Sequence, residues 1–246
     1  MVDMTREQRL SAGFVAVADT LVADFDLIDK MQTLVEVCVD VLDVEAGGLL
    51  LADAQGELRL LAASSERTDF IEVLQLNAGV GPCIDSFHSG EALAVDDIAA
   101  SGDQWPQFRD AALALGFRSV YAAPMRLRGQ LLGALNLFGA EPRALNAPDA
   151  AVAQALADVA TIGILQERSI RETGIVKTQL QGALDSRVVI EQAKGVLSAS
   201  GDMDLDEAFA LLRGHARGNN LSLHAVAADV AAHRLDLLGD GELTRR

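Results

Sequence analysis

The spacing of apolar residues changes twice along this chain of 246 residues, and that change is the strongest constraint on its fold. From Thr5 to Asp43, apolar residues recur at every third or fourth position, as they do on a helix with one buried face. Between about residues 48 and 138 they form short runs separated by turn residues, which is typical of strands. From Pro148 onward the helical spacing returns. The pattern predicts an α+β domain on an antiparallel sheet, followed by an all-α region.

The α+β region begins with two helices and continues as strands separated by turns and further helices. Turns at Asp53–Gly56 and at Arg128-Gly129 separate consecutive strands. The predicted strands are 48–52, 58–63, 93–95, 119–127 and 130–138, and the predicted helices between them lie at about 69–76 and 105–115.

A long helix is predicted from Pro148 to about Leu184, because Pro is tolerated in a first helical turn and no strand pattern occurs there. One apolar seam runs along it on a coiled-coil template, although Gln166 and Thr173 interrupt the seam. We interpret the helix as a two-stranded connector and expect a homodimer through it and the helices of the first domain. The seam consists of Val159, Ile162, Ile170, Val176, Leu180 and Leu184.

Three shorter helices are predicted after the connector. The first covers 185–199 and ends near Gly201, a common C-cap residue. The second begins with Asp204 and Glu207, which have the spacing of a capping box, and Ser222 caps the third. Together they predict a compact three-helix bundle.

The net charge of −16 would ordinarily argue against a nucleic-acid partner, because phosphate contacts need Lys and Arg. Its distribution is uneven. Residues 1–174 hold 12 Lys and Arg against 26 Asp and Glu, whereas residues 175–246 hold 8 against 10. This asymmetry indicates two units with different tasks, of which only the second is nearly neutral.

Residues that carry enzyme chemistry are scarce in this sequence. The histidines lack metal-ligand spacing, and no phosphate loop, dinucleotide loop or nucleophile elbow occurs, so we predict no metal site and no catalytic residue and can name no cofactor. The loop Gly79–Cys83 is distinctive, since its glycines either let backbone N–H groups face a ligand or make a tight entry into a helix. Cys83 is either a reactive thiol at a helix start or a small buried side chain.

The last helices carry a short basic stripe. Arg187 and Lys194, with Glu191 between them, recur at spacings of three or four on one helix. Gly195 lies in mid-helix, where it costs about 1 kcal/mol relative to Ala. Close helix packing or close approach of a ligand usually compensates for such a glycine. The stripe is therefore either a binding surface or a solvated face with a packing glycine.

Three segments of this region resemble the ANTAR domain. They are Arg187-Val-Val-Ile-Glu-Gln-Ala-Lys-Gly-Val-Leu197, then Asp206-Glu-Ala-Phe209 with Leu212-Arg213, and Asn220-Leu-Ser-Leu with Val226-Ala227, in that order. The resemblance covers about residues 180–235. It implies an RNA-binding antitermination regulator that binds hairpins in nascent leader RNA and prevents a terminator from forming. We predict RNA contacts for Arg187, Lys194, Gly195, Arg213 and Arg217.

Residues of the first domain resemble the GAF domain, a fold that senses small molecules or other signals. The matching segments are Leu76 to Cys83, Gly90 to Asp97, Ser119 to Pro124 and Gly133-Ala-Leu-Asn136-Leu. The Asn-Lys-x-Phe-x-x-x-Asp-Glu set of cyclic-nucleotide-binding relatives is absent, which disfavours a cyclic nucleotide as ligand. We predict a ligand pocket between strands 119–127 and 130–138 under the Gly79–Cys83 loop, lined by Gly79, Gly81, Cys83, Tyr121 and Asn136.

Two other functions stay open. A DNA-binding bundle of the helix-turn-helix type would place the third helix in a groove, yet Arg234 is the only Lys or Arg in 222–235. A GAF-type methionine sulfoxide reductase would use cysteines, yet no resolving cysteine accompanies Cys83.

The sequence thus predicts a GAF sensor domain at 1–170, a connector at 148–184 that overlaps its end, an ANTAR domain at 180–238 and a flexible tail at 239–246. We expect a cytoplasmic protein with no membrane association, because the first residues contain no apolar signal segment and no apolar run approaches the roughly 18 residues of a membrane span.

Overall fold

The computed structural model describes residues 5–22, 27–53, 55–127, 129–143, 145–171 and 178–238. Within them, five antiparallel strands form one sheet in the order β2-β1-β5-β4-β3. The sheet confirms the predicted fold class, and β2, β3 and β4 have the predicted bounds. The strands are β1 (Ala46–Ala52), β2 (Leu58–Ala63), β3 (Leu93–Val95), β4 (Ser119–Leu127) and β5 (Gln130–Gly139).

Helices cover both faces of this sheet and form the C-terminal region. They are α1 (Arg6–Val22), α2 (Leu27–Leu42), α3 (Glu66–Ala78), α4 (Pro82–Ser89), α5 (Pro106–Ala114), α6 (Ala147–Arg171), α7 (Thr178–Gly201), α8 (Leu205–Gly218) and α9 (Leu223–Ala231), with a 3-10 turn at Ile98–Ala100.

Successive strand residues point to opposite faces, so the sheet has two apolar sides. Leu49 and Leu135 pack on one side with residues of α2 and α6. Val120 and Phe138 pack on the other with Phe108 of α5. Helix α3 and helix α4 lie on this second side, which is where the predicted Gly79–Cys83 loop is found.

Helix α3 is longer than predicted because Ser65 caps it, accepting a hydrogen bond from the Thr68 N–H. It ends at Gly79, whose φ of +66° is left-handed. The next helix starts almost at once, with Pro82 in its first turn. The Gly79–Cys83 segment is therefore a tight connection between two helices.

One helical stretch, Ala147–Leu165, is long and apolar enough to cross a membrane by length and composition. It forms most of α6. Its residues Ala153, Leu156 and Ala160 are fully buried in the main hydrophobic cluster. A core helix of this kind passes the same test, so this stretch is explained by packing on the sheet.

Helices α7, α8 and α9 form the predicted bundle around Ala193, Leu197, Leu212 and Val226, all of them buried. Asp204 accepts from the Glu207 N–H, and Glu207 accepts from the Asp204 N–H, which confirms the capping box. The oxygen of Ser222 likewise accepts from the Ala225 N–H.

The connector predicted at 148–184 corresponds to nearly all of α6 and the beginning of α7, and residues 172–177 between them lie outside the described part of the chain. Val159 is half-buried and Ile162 is 41% exposed. The rest of the seam, namely Val176 and the side chains of Ile170, Leu180 and Leu184, lies outside the described residues, as does the tail 239–246.

Candidate functional site

Arg187 of α7 points at the first domain. Its Nη2 donates to both carboxylate oxygens of Asp69 on α3, at 2.7 Å each. The side chain of Arg187 is 18% exposed, and Glu191 lies one turn further along α7 at 3.8 Å. A guanidinium held in this way is a charge-assisted hydrogen-bond donor with a fixed orientation.

Lys194, two turns along the same helix, is buried in the same contact. Its Nζ lies 2.5 Å from Glu66 of α3 and 3.1 Å from Glu191. Burial alone would lower the pKa of Lys194, but the two carboxylates outweigh that penalty and raise its pKa above the usual value. Because its side chain is only 7% exposed, the interpretation of this stripe as a solvated face is wrong.

Two arginines of α8 make a second contact, with α2. Arg213 Nε donates to Asp29 Oδ1 at 2.7 Å, and Arg217 Nη2 donates to Asp29 Oδ2 at 3.1 Å. Each also donates to Thr33 Oγ1 at 2.9 Å, and Arg213 pairs with Glu36. Although burial alone would lower the pKa of Arg213, Glu36 and Asp29 raise it.

These two contacts form what we call the domain interface: Arg187 and Lys194 against α3, Arg213 and Arg217 against α2. An apolar part accompanies the charges, since Ile28, Leu61, Ile190 and Phe209 surround a cavity of about 30 Å³ there. Four of the five predicted RNA-contacting residues therefore share one surface of the bundle. The sensor domain covers Arg187, Lys194 and Arg213, whereas the side chain of Arg217 is 42% exposed at the rim.

Gly195 is the fifth, and it lies outside this contact. A Cβ atom built at Gly195 would meet nothing within 4 Å, and the residue is exposed. The alternative that Gly195 allows close helix packing is therefore wrong.

Acidic groups concentrate at the interface. Oxygens of Glu66, Asp69 and Glu191 lie within 4.8 Å of one another, a spacing that would suit a metal ion. Each of these carboxylates is already paired with Arg187 or Lys194, so the chain supplies the cations itself. Burial and the neighbouring Glu66 raise the pKa of Asp206, which lies at the start of α8.

The sensor core contains a second polar cluster, which begins one turn further along α3 at Glu72. Asn136 Nδ2 donates to Glu72 Oε1 at 2.7 Å, and Gln75 Nε2 donates to Glu72 Oε2 at 3.1 Å. Gln75 Oε1 accepts from the Cys83 N–H at 3.2 Å. Glu72, Gln75 and Asn136 are fully buried. Burial raises the pKa of Glu72 to about 8, against 4.5 ordinarily, despite the hydrogen bond from Asn136.

The predicted ligand residues are only partly brought together. Cys83 and Asn136 belong to this cluster, and a Cβ at Gly81 would lie 2.2 Å from Gln75 Oε1, so Gly81 packs against it. Gly79 is exposed at the end of α3.

Tyr121 is misplaced in the prediction. It faces the opposite side of the sheet from Asn136, because it packs with the α2 and α6 cluster. There it lines an open cleft of about 560 Å³ between the start of β4 and the end of β5. The five residues therefore do not line a single cavity.

Sequence reasoning missed Glu72 and Gln75, which occupy the space beneath the Gly79–Cys83 segment. Helix α3 exposes Phe70 by 58% and Val73 by 43% while it buries these two polar residues. That arrangement reverses the usual pattern of an amphipathic helix, so hydrophobic spacing gave no signal.

Both cysteines are buried and free. Burial and the neighbouring Glu72 hold the pKa of Cys83 well above its usual value, and burial raises the pKa of Cys38 to about 12. A high pKa disfavours the thiolate, which is the reactive form. Of the two interpretations of Cys83, the geometry favours the small buried side chain.

Comparison with known families agrees with the two-part architecture. The family model of the GAF domain matches residues 26–164, more than half of the chain, and the chain belongs to this family. The model of the ANTAR domain matches residues 178–230. The protein is thus a GAF-containing ANTAR regulator, an architecture typical of regulators and not of enzymes.

Solved structures of GAF domains resemble part of this chain. A GAF domain of a phosphoenolpyruvate-protein phosphotransferase from Coxiella burnetii shares 17% identity over 67% of this chain and 98% of its own, with a TM-score of 0.53. A free methionine-R-sulfoxide reductase from Neisseria meningitidis shares 18% over 67% of this chain and 91% of its own, with a TM-score of 0.52. At this identity the likeness shows the fold only. No curated protein matches the chain.

Proposed function

We propose that this protein is an RNA-binding transcription antitermination regulator, in which the ANTAR domain binds leader-RNA hairpins and the GAF domain senses a signal. The observation that carries the proposal is the convergence of Arg187, Lys194, Arg213 and Arg217 on one surface of an ANTAR bundle. Each of them already binds carboxylate oxygens. Phosphate oxygens offer the same charge and the same geometry to a guanidinium or an ammonium group.

RNA recognition on this surface would rest on cations and polar groups. The aromatic ring there, Phe209, is half-buried and lies 5.8 Å from Lys194 Nζ, so it is poorly placed to stack on a base. The open space at Gly195 supports close approach of an RNA backbone beside Lys194. Phosphate contacts of this kind position a hairpin and make binding depend on salt.

We further propose a cytoplasmic homodimer whose two ANTAR domains engage two hairpins at once, which raises the effective concentration of the second site. Exposed apolar side chains on helices of the sensor domain support a dimer contact: Val15 on α1 is 59% exposed and Ile162 on α6 is 41% exposed. Light scattering at micromolar concentration is expected to give the mass of two chains. A monomer would contradict the dimer and leave RNA binding by one domain intact.

The GAF domain is proposed to receive its signal at the cluster around Glu72 and Asn136, where a small molecule would take the space that Glu72 and Gln75 occupy in this structure. The Oδ1 atom of Asn136 is buried with no partner among the described residues, and such an atom is costly unless something binds it. Gly79 and Tyr121 face elsewhere, so they do not belong to this proposed site.

The rival functions gain no support from the geometry. Helix α9 would be the recognition helix of a DNA-binding bundle, yet Arg234 after it is paired with Asp229 at 2.7 Å. A reductase would need a reactive thiol, whereas Cys83 is buried with a raised pKa.

Crosslinking in cells tests the proposal. Ultraviolet crosslinking of the full chain, followed by sequencing of the bound RNA, is expected to enrich leader segments with consecutive hairpins ahead of a terminator. A variant with Arg187→Ala and Lys194→Ala is expected to lose them, while Arg234→Ala, which removes a cation outside the interface, keeps them. Recovery of genomic DNA instead of RNA would overturn the proposal in favour of a DNA-binding regulator.

A further inference from the structure

We propose that the GAF domain masks the RNA-binding surface of the ANTAR domain, so that the structure describes a closed state which must open at the domain interface before RNA binds. The inference rests on the proposed RNA-binding function and adds its regulation. It follows from which groups the four cations contact: Asp29, Glu36, Glu66 and Asp69 all belong to the GAF domain.

The nitrogen atoms that would bind phosphate are already bound to carboxylates of the GAF domain. Arg187 Nη2 is committed to both oxygens of Asp69, and Arg213 directs its guanidinium nitrogens at Asp29, Thr33 and Glu36. The side chains of Arg187, Lys194 and Arg213 are 18%, 7% and 11% exposed, whereas that of Arg217 is 42% exposed and lies at the rim of the contact. A phosphate group has no access to a cation that is covered and bound in this way.

The masking is also electrostatic. Acidic side chains of both domains surround the covered cations, so an approaching RNA backbone meets a negative field. The carboxylates concerned are Asp29, Glu36, Glu66, Asp69, Glu191 and Asp206. The closed state therefore repels RNA even at its rim.

The interface can open without unfolding the bundle. Leu197, Leu212 and Val226 are buried among α7, α8 and α9, and these helices contact one another more than they contact the GAF domain. Their hydrophobic cluster nevertheless continues through Ile190 to Ile28 and Leu61 of the GAF domain. At the domain interface, a cavity of about 30 Å³ interrupts the apolar contact, and ion pairs surround it. Salt weakens ion pairs of this kind, so the interface can separate while the contacts among α7, α8 and α9 persist.

One helix, α3, connects the carboxylates that cover the cations to the sensor core. Helix α3 carries Glu66 and Asp69 on the side that holds the ANTAR domain, and Glu72 and Gln75 in the buried cluster. A rearrangement of that cluster would shift α3, and with it Glu66 and Asp69, which bind Lys194 and Arg187 of α7. The mask is thus placed where a signal in the GAF core can release it.

The test removes the mask and keeps the RNA-binding cations. In the full chain, Glu66→Gln with Asp69→Asn deprives Lys194 and Arg187 of their GAF partners, and a cation left buried without its partner disfavours the closed state. Affinity for a leader-derived RNA of two hairpins is expected to rise by at least about tenfold. The matched control is Glu91→Gln with Asp110→Asn, which removes the same charge from exposed GAF positions outside the interface and should change affinity little.

A second readout needs no RNA. Acetylation of lysine by an amine-reactive reagent, followed by mass spectrometry, reports access to Lys194. Its rate is expected to rise by at least about fivefold in the unmasked variant and not in the control. Asp29→Asn opens the α2 side and serves as an independent unmasking variant if the first one folds poorly by circular dichroism.

The outcomes separate the two proposals. Equal Lys194 reactivity and equal RNA affinity in wild type and both unmasked variants would overturn the mask while leaving the RNA-binding function standing. Increased Lys194 reactivity without RNA binding in any variant would overturn the RNA-binding function, and the regulation proposed for it would fall as well.

Discussion

Helix α3 carries two kinds of carboxylate along successive turns, and their surroundings differ. At the domain interface, Glu66 and Asp69 meet Lys194 and Arg187, which arrive from the ANTAR domain. In the sensor core, Glu72 is fully buried and its hydrogen-bond partners are neutral side chains. The first set is charged and paired, whereas the second is a single carboxyl without a cation.

The two regions are therefore expected to respond to different solution conditions, the domain interface to salt and Glu72 to pH. A paired set stabilises the closed state only while both domains are in contact, so it responds to salt and to anything that competes for the cations. A lone buried carboxyl avoids the cost of an unpaired charge by holding a proton, so it responds to pH.

The cations are expected to change partners when RNA binds. In the unmasked Glu66→Gln, Asp69→Asn background, adding Arg187→Ala and Lys194→Ala should weaken RNA affinity by about a hundredfold or more, since hydrogen bonds to charged groups contribute about 1.5–3 kcal/mol each. The salt slope of binding should fall by about two units, one for each phosphate group that no longer has a cation beside it.

Arg234→Ala in the same background is the control for loss of positive charge, because Arg234 lies outside the interface. Unchanged RNA affinity in the variant that lacks Arg187 and Lys194 would mean that these residues serve the closed state alone.

Glu72 is expected to make stability fall as pH rises. Below about pH 4.5 the carboxyl holds its proton in both the folded and the unfolded chain. Above that pH the unfolded chain releases the proton, whereas the folded protein keeps it until about pH 8. The free energy of unfolding should therefore drop by about 3 kcal/mol between pH 5 and pH 8 through this group.

Glu72→Gln removes this dependence, since an amide has no proton to lose and can still accept from Asn136. Urea unfolding at pH 5 and pH 8 should show that the variant gains stability relative to wild type only at the higher pH. The exposed Glu57→Gln is the control. A variant difference that is the same at both pH values would mean that Glu72 is ionised in the folded protein.

Salt should distinguish the two regions in wild type. Raising the ionic strength from about 0.05 to 0.5 M shortens the screening length severalfold, so the acetylation rate of Lys194 should rise by about two- to threefold. The pH dependence due to Glu72 should persist at both salt concentrations, because that carboxyl has no ion pair to screen. An acetylation rate of Lys194 that does not depend on salt would mean that the apolar contact around Ile190 holds the interface closed.

The strands and the bundle were predictable because their signals are local. Turn residues bracket β2 and β4, and the capping box at Asp204 marks the start of α8. The partners of Arg187 and Lys194 were not predictable, because helical spacing places residues on one face without saying whether water or another domain covers it. The uneven charge of the two parts of the chain was the one signal that an acidic domain could receive a basic surface.

Gly195 gives the smallest and most discriminating effect, because the space around it is open. Gly195→Ala should raise the stability of helix α7 by about 0.5–1 kcal/mol, since glycine in a helix interior loses more conformational freedom than alanine. Gly195→Leu should also leave the melting temperature unchanged or higher, because no neighbouring atom obstructs the side chain.

In the unmasked background, however, the leucine should reduce RNA affinity severalfold while alanine has little effect, because only the larger side chain holds an RNA backbone away from Lys194. Full RNA affinity in the leucine variant would show that the backbone does not pass over this position, and a lowered melting temperature would show that Gly195 packs against a neighbour after all.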